Sequence, residues 1–369
     1  MSAHTIALAA GGSGGHIFPA EALAQVLLAR GCKVLLMTDR RGQGFGALPE
    51  VEVIRLSGSA VLGRSAIQKL SALISLLRGS WQARSPLKRS GAKAVVGFGG
   101  FASVPPAFAA RGLGLPVILH EQNAVLGRAN RLLVGRASAL ATAFPEVRAV
   151  SAADAVKLRQ VGNPVRPAMA ALRTQAYPPL DPKGRISLLV TGGSQGAKAF
   201  DSLIPAALSL LPEALRHRLD LVQQVRGADR DALAARYREL GVSSSLAPFF
   251  EDLPRHLGDA HLLIGRSGAS TIFELSIAGR PGLLIPYPHA TDDHQSANAK
   301  AFATAGGGWL LPEAGTDAET LSQQLEQLFT TPGLLQAAAE KARGFAKPDA
   351  AERLADLTLE VIAAKGGSA

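Results

Sequence analysis

Short apolar runs that end in glycines or polar clusters alternate with longer stretches whose apolar positions recur every three to four residues. The runs at 6–10, 33–38, 51–56, 94–96, 116–119 and 139–143 read as buried strands, and a helical pattern occupies 21–30. From residue 185 the pattern restarts, with strands at 185–190, 219–224, 249–252, 261–264 and 282–286 and a helix opening near Phe200. Strands alternating with helices mean βαβ units, and hence a parallel sheet covered on both faces. Two such sets predict an α/β chain of two Rossmann-like parallel-sheet domains, 1–165 and 185–347, facing each other over a cleft. The Pro- and Ala-rich stretch 166–184 reads as a linker, and Asp349 reads as the N-cap of a closing helix. Helix 67–81 is less ordinary. Ile67, Leu70, Leu73, Ile74, Leu77 and Trp81 share one broad side, with Lys69 and Arg78 at its edges and Arg84, Lys88 and Arg89 just beyond. It reads either as a core-facing helix with a solvated basic rim or as a membrane-surface patch whose cations meet anionic headgroups.

Composition narrows the class. A chain of 369 residues, 47% hydrophobic and 18% charged, exceeds one small core and fits a soluble two-domain protein. One cysteine, Cys32, excludes an internal disulfide and fits a reducing compartment. The first residues lack a basic n-region, and no run of about 18 apolar residues is long enough to span a bilayer. The net charge of +10 calls for an acidic partner: nucleic acid, anionic lipid or a phosphorylated substrate. No aromatic stacking platform or nucleic-acid motif supports the first of these.

Candidate chemistry gathers at the strand ends. The first strand breaks into Gly11-Gly12-Ser13-Gly14-Gly15-His16 just before a helix with Pro19 in its first turn. Glycine admits a sharp turn close to a ligand, and the helix start favours an anionic group. His16 at the mouth of that loop is the side chain that can trade a proton near neutral pH. A second glycine loop, Gly97-Phe98-Gly99-Gly100-Phe101, ends the fourth strand, and the fifth delivers His120-Glu121-Gln122-Asn123. Four polar side chains straight off an apolar strand are better explained by a site than by packing. The second half repeats the device with Gly192-Gly193-Ser194-Gln195-Gly196-Ala197, and again with Arg266-Ser267-Gly268-Ala269-Ser270-Thr271. Thr271 to Glu274 has the spacing of a capping box, but the same helix start also makes a diphosphate seat with a carboxylate placed for ribose hydroxyls.

Familiar nucleotide motifs are not met. Ile17 stands where the dinucleotide fingerprint needs a small residue, Gly193 to Lys198 has the wrong P-loop spacing, and Ser194 lacks a hydrolase elbow. No Cys/His set has zinc spacing, so no metal site is expected.

The six blocks Gly11–His16, His120–Asn123, 162–166 (Gly-Asn-Pro-Val-Arg), Gly192–Ala197, Arg266 through Glu274, and His294-Gln295, in this order nearly end to end, resemble the MurG-type N-acetylglucosaminyltransferases. The resemblance implies a GT-B fold in which the last helix, 348–366, returns to the N-terminal domain. It implies inverting transfer of GlcNAc from UDP-GlcNAc to the 4-hydroxyl of an undecaprenyl-diphosphate-linked MurNAc-pentapeptide, in peptidoglycan synthesis, by a peripheral protein at the cytoplasmic face of the inner membrane. Carried over by position, His16 is the general base, with the His120/Glu121 pair as the other candidate. Ser13, Gly14, Gly15, Asn123, Arg166, Ser194 and Gln295 meet the donor; Ala269, Ser270 and Thr271 hold its diphosphate, and Glu274 its ribose. Phe250 lies against the uracil through backbone groups. Helix starts with Arg166 and Arg266 would neutralise the diphosphate without a metal or other cofactor. Leu73, Ile74, Leu77 and Trp81 become contacts to an anionic membrane surface, and no nucleic-acid partner is implied. Ser13 replaces a frequent Thr and Phe101 a frequent Tyr, so no phenol chemistry is assigned there. Two rivals are a UDP-GlcNAc 2-epimerase of the same fold and a non-catalytic basic scaffold at a membrane.

Overall fold

The computed structural model describes residues 4–11, 14–39, 45, 48–56, 66–193, 196–227 and 229–366, with backbone alone at 66–70 and 72. The chain divides into two units, Met1–Arg166 with Lys347–Ala369, and Pro167–Ala346.

The first unit runs β1 (Thr5–Ala9), α1 (Gly14–Ala29), β2 (Lys33–Thr38), β3 (Glu52–Arg55), α2 (Ala66–Arg89), β4 (Ala92–Gly97), α3 (Val104–Gly112), β5 (Val117–Glu121), α4 (Arg128–Leu133), β6 (Ala139–Thr142), α5 (Ala152–Ala155) and β7 (Leu158–Gln160). Its strands pair in the order β3-β2-β1-β4-β5-β6-β7, all parallel. Alternation along β1 divides the core. Ile6 and Leu8 face Leu23 and Leu27 of α1, whereas Ala7 and Ala9 face Leu87 of α2 and Ala107 and Ala110 of α3. Both faces are thus buried at the centre of the sheet, which is why β1 is apolar from Ile6 to Ala9, whereas the edge strands β3 and β7 carry charged and polar residues. The strand order reverses between β1 and β4, and a parallel sheet leaves a ligand crevice at the carboxyl ends on that line. The loops after β1, β4 and β5, which carry the polar clusters, begin there.

Helix α2 continues well past residue 81 and packs on α3, burying Ala83, Pro86 and Leu87. Leu73, Ile74, Leu77 and Trp81 lie on its other side, 52%, 57%, 62% and 77% exposed, so the core-facing reading of that stripe is overturned. Small residues such as Ala83 let α2 seat closely on α3, and the large apolar side chains are left outside. Among the described residues no helix is long and apolar enough to cross a membrane.

The second unit starts with α6 (Pro167–Ala170), then β8 (Ile186–Thr191), α7 (Phe200–Leu210), α8 (Glu213–Arg216), β9 (Leu219–Gln224), α9 (Arg230–Glu239), β10 (Ser243–Ala247), α10 (Leu253–Asp259), β11 (Leu262–Gly265), α11 (Ala269–Ala278), β12 (Gly282–Leu284), α12 (His294–Thr304), β13 (Gly308–Leu310), α13 (Ala318–Thr330) and α14 (Leu334–Phe345). Its six parallel strands, in the order β10-β9-β8-β11-β12-β13, repeat the switch between β8 and β11. The strand expected at 249–252 lies earlier, at Ser243–Ala247, where serines alternate with little apolar signal. Residues 249–252 form the turn into α10, which Asp252 caps through Arg255 N at 3.2 Å.

The stretch 167–184, expected as a linker, is fastened to the second unit. Met169 and Leu172 are buried, and Tyr177 donates to His261 O at 2.9 Å. Arg173 and Arg343 donate to each other's carbonyls at 2.7 and 2.6 Å. Half-buried arginines on carbonyls carry no hydropathy signal, so the segment reads as loop. The last helix, α15 (Ala350–Gly366), belongs to the first unit. It packs on α1 and buries Leu354, Ala355 and Leu357 in the Ile6–Leu8 core. Asp349 precedes it and pairs with Arg353 at 2.8 Å.

Candidate active site

In the first unit, α1 begins at Gly14, so His16 sits in the helix's first turn, half-buried. Its ring lies on the second glycine loop. A Cβ built on Gly100 would meet His16 Cδ2 at 3.3 Å and Nε2 at 3.4 Å, and Gly99 and Gly100 have φ of +80° and +67°. Two left-handed glycines thus bring the β4 loop under the imidazole, a path that side chains would strain. Two residues on, the Phe18 ring carries the Arg166 guanidinium 4.4 Å above its centroid, bringing a cation to the same helix end. Gly15 is exposed there; Ser13 lies outside the described residues.

His120 and Glu121, the alternative base pair, are placed differently from expectation. His120 is fully buried; its Nε2 lies 3.0 Å from Gly162 O and its Nδ1 3.0 Å from Gln122 Nε2. Because an amide nitrogen only donates, Nδ1 accepts and Nε2 carries the proton given to Gly162. Burial pushes the imidazole pKa down to about 4, against the pull of the Gly162 carbonyl and with a smaller push from His16. Glu121, 2% exposed, accepts at Oε1 from Asn123 N and Nδ2 (3.0 and 3.3 Å) and at Oε2 from Gly127 N and Asn130 Nδ2 (2.8 and 2.9 Å). Both oxygens are occupied by loop donors. This pair therefore shapes the 121–130 turn and cannot reach a substrate hydroxyl; neither is a catalytic residue in this geometry. Gln122 completes the arrangement by donating to Phe98 O at 3.0 Å, tying the turn to the loop beneath His16. Asn130, 1% exposed, was not singled out by the sequence; an amide buried among Ala and Leu on a short helix is its only signal.

In the second unit, Gly192 N and Thr191 Oγ1 both donate to Gln224 Oε1, at 3.2 and 3.0 Å, and Gly193 N donates to Thr191 Oγ1 at 3.1 Å. Ser194 lies outside the described residues. At the β11 exit, α11 starts at Ala269 with Gly268 as N-cap and no side-chain cap. Thr271 is inside the helix, so the capping-box reading fails and the first turn keeps its backbone N–H groups uncapped by side chains. Ser270, Thr271 and Glu274 form a half-buried polar stripe on a helix otherwise buried at Ile272, Phe273, Leu275 and Ile277. Gln295 joins this end: its Oε1 accepts from Tyr287 N at 2.9 Å and its carbonyl from Ser267 Oγ at 2.8 Å.

Arg266, expected to offer its charge to a diphosphate, is already spent. It is 7% exposed, paired with Glu313 at 2.5 Å, bonded to Ile285 O and Pro286 O at 3.0 and 3.1 Å, and flanked by the Phe200 and Tyr287 rings. Phe250 turns its ring inward against His256 at 5.1 Å, leaving backbone as what it can offer, while its neighbour Phe249 is 59% exposed. Among the described residues no group of three or more His, Cys, Asp or Glu is arranged to hold a metal ion.

Comparison with known proteins bears on these sites. The glycosyltransferase family 28 N-terminal domain matches residues 6–142, and the family 28 C-terminal domain matches 187–354. A relative from Rhodospirillum centenum is 52% identical, covering 97% of this chain and 95% of its own. One from Brucella suis biovar 1 is 45% identical, with 98% and 95% covered. Both bear the name UDP-N-acetylglucosamine--N-acetylmuramyl-(pentapeptide) pyrophosphoryl-undecaprenol N-acetylglucosamine transferase. The crystal structure of Acinetobacter baumannii MurG matches with a TM-score of 0.78 at 30% identity, covering 97% of this chain and 99% of that one. The kitacinnamycin glycosyltransferase, at 16% identity and a TM-score of 0.73, shares the fold. With both domains matched in order and relatives near half-identical over almost the whole length, the chain belongs to glycosyltransferase family 28 and, within it, to the MurG family.

Proposed function

We propose that this protein transfers N-acetylglucosamine from UDP-GlcNAc to the 4-hydroxyl of an undecaprenyl-diphosphate-linked MurNAc-pentapeptide, with inversion, to make the lipid-linked disaccharide of peptidoglycan. The observation that carries the reading is near-full-length kinship with enzymes named for this transfer, together with an imidazole held at a glycine-loop helix start.

An α-linked donor and a β-linked product call for one in-line displacement, in which a base takes the acceptor proton as UDP departs. His16 is the base in this reading. His120 and Glu121, whose polar atoms are engaged, hold the turn after β5, and Gln122 ties that turn to the loop on which His16 lies. The positive dipole at the start of α11 meets the charge on the donor's diphosphate, and the start of α1, with Arg166 steadied on Phe18, offers positive charge to the acceptor lipid's diphosphate. Glu274, one turn into α11, takes the ribose hydroxyls, and the backbone at Phe250 takes the uracil. This charge balance needs no divalent ion; equal transfer rates with and without a chelator are expected. The exposed stripe Leu73–Ile74–Leu77–Trp81, bordered by Arg78 and Arg84, rests on an anionic bilayer at the cytoplasmic face of the inner membrane, where the lipid acceptor lies.

The deciding experiment is transfer from labelled UDP-GlcNAc to the lipid-linked acceptor in vesicles. Label in the lipid phase, with a β-1,4 linkage, is the expected result. Release of free sugar or of an epimer without lipid labelling would overturn it.

A further inference from the structure

Strand β9 ends in two consecutive buried amides, Gln223 at 0% and Gln224 at 6% exposure, where the rest of the strand is mostly apolar. Burying an amide costs roughly 1–3 kcal/mol unless its bonds are met. Gln223 has a packing explanation, since its Oε1 accepts the Tyr237 hydroxyl at 2.5 Å. Gln224 faces two loops at once. Its Oε1 receives Thr191 Oγ1 and Gly192 N on the glycine-loop side, and its Nε2 donates to Pro248 O at 3.3 Å on the side of the turn before Phe250. Arg226, just past the strand end, repeats the bridge: Nε donates to the same Pro248 O at 3.4 Å. Its methylenes wall the far end of the glycine loop, where a Cβ on Gly196 would meet Arg226 Cδ at 2.9 Å. Gly196 N donates to Gly193 O at 3.1 Å. A Cβ on Gly192 would strike Gly196 and Ala197 backbone at 2.1 Å.

We propose that Gln224, with Arg226, is a positioning clamp that sets the distance between the glycine loop after β8, which meets the donor in the resemblance through Ser194, and the 248–250 turn whose backbone takes the uracil, and so fixes selectivity for a uridine diphosphate. This rests on the donor reading given under Proposed function. Neither residue is assigned to touch the reacting atoms. A clamp of this kind acts on ground state and transition state alike, so its loss raises KM and leaves kcat nearly unchanged.

Gln224→Glu separates the two halves of the clamp: a carboxylate still accepts from Thr191 and Gly192 but repels the Pro248 carbonyl. In full-length protein we expect at least a tenfold rise in the KM for UDP-GlcNAc, with kcat within about threefold. Calorimetry should show a matching loss of preference for UDP over CDP and unchanged affinity for inorganic pyrophosphate. Unaltered UDP preference, or an equal loss for pyrophosphate, overturns the clamp. Should Gln224→Glu fail to fold, exposed Arg226→Met carries the test: it keeps the methylene wall, loses the bond to Pro248, and is expected to raise the UDP dissociation constant about threefold. An unchanged constant overturns the clamp. Absence of UDP binding by the unaltered protein would instead sink the donor reading itself.

Discussion

A Cβ at Gly100 would press on His16 Cδ2 at 3.3 Å, and φ there is +67°, so Gly100→Ala strains the backbone and displaces the imidazole together. If His16 is the base, Gly100→Ala lowers kcat by roughly tenfold or more, and His16→Ala by about 10²–10⁴. The KM for UDP-GlcNAc should hardly move, and steady-state transfer kinetics check both. His120 offers a second prediction, for stability. Its folded pKa of about 4 lies below the unfolded value, so the unfolded chain binds the extra proton between pH 6.5 and 4. Its stabilisation is complete above pH 6.5 and is lost as pH falls toward 4, by roughly 3 kcal/mol. Thermal melts of the first unit should steepen their fall over that window, and His120→Asn, which has no such proton to gain, should flatten it. His16, His120 and Glu121 stood out in the sequence because polar residues ended apolar strands. Which of them met solvent and which was enclosed depended on Gly162, distant along the chain, closing on His120 and on Gly127 and Asn130 folding back on Glu121.

Among the elements, α2 and α11 carry the argument. The apolar periodicity of α2 was plain, yet periodicity alone cannot say whether a stripe faces a core or leaves it. Packing on α3 through Ala83 and Leu87 decides that Leu73 and Trp81 face outward. Leu73→Ser with Trp81→Ser is expected to weaken binding to anionic vesicles roughly tenfold or more, each side chain contributing on the order of 1 kcal/mol. The melting temperature should stay put because both side chains are solvated, and sedimentation with vesicles measures the loss. For α11 the residue pattern suggested a cap at Thr271, whereas the helix starts at Ala269. A two-residue difference moves Ser270, Thr271 and Glu274 from a cap to a polar stripe. Strand β10 was misplaced for a related reason: its serines lack apolar alternation, and pairing with β9 makes it a strand.

For the whole molecule, the return of the chain is the informative feature. Gly162, at φ +92°, lets Lys347 and Ala350 pack where a Cβ would lie 2.7 and 3.0 Å from theirs, and its carbonyl also receives His120. The end of the chain therefore supports both the core and the His120 network of the first unit. Leu354→Ala, which empties a fully buried position, should cost about 2–5 kcal/mol and lower the first unit's melting transition by roughly 5–15 °C. Differential scanning calorimetry should show the second unit's transition unmoved. The βα alternation, the paired glycine loops and the order of the polar blocks were determined by local sequence alone, because strand burial, helix periodicity and the tolerance of glycine for left-handed turns act over a few residues. The closure of Glu121, the occupied charge of Arg266, the capture of 167–184 by the second unit and the bridging by Gln224 were decided only in three dimensions. Glu121 is closed in by a turn that folds back within nine residues. The others are polar groups satisfied by partners far away in sequence, and hydropathy carries no record of such pairings.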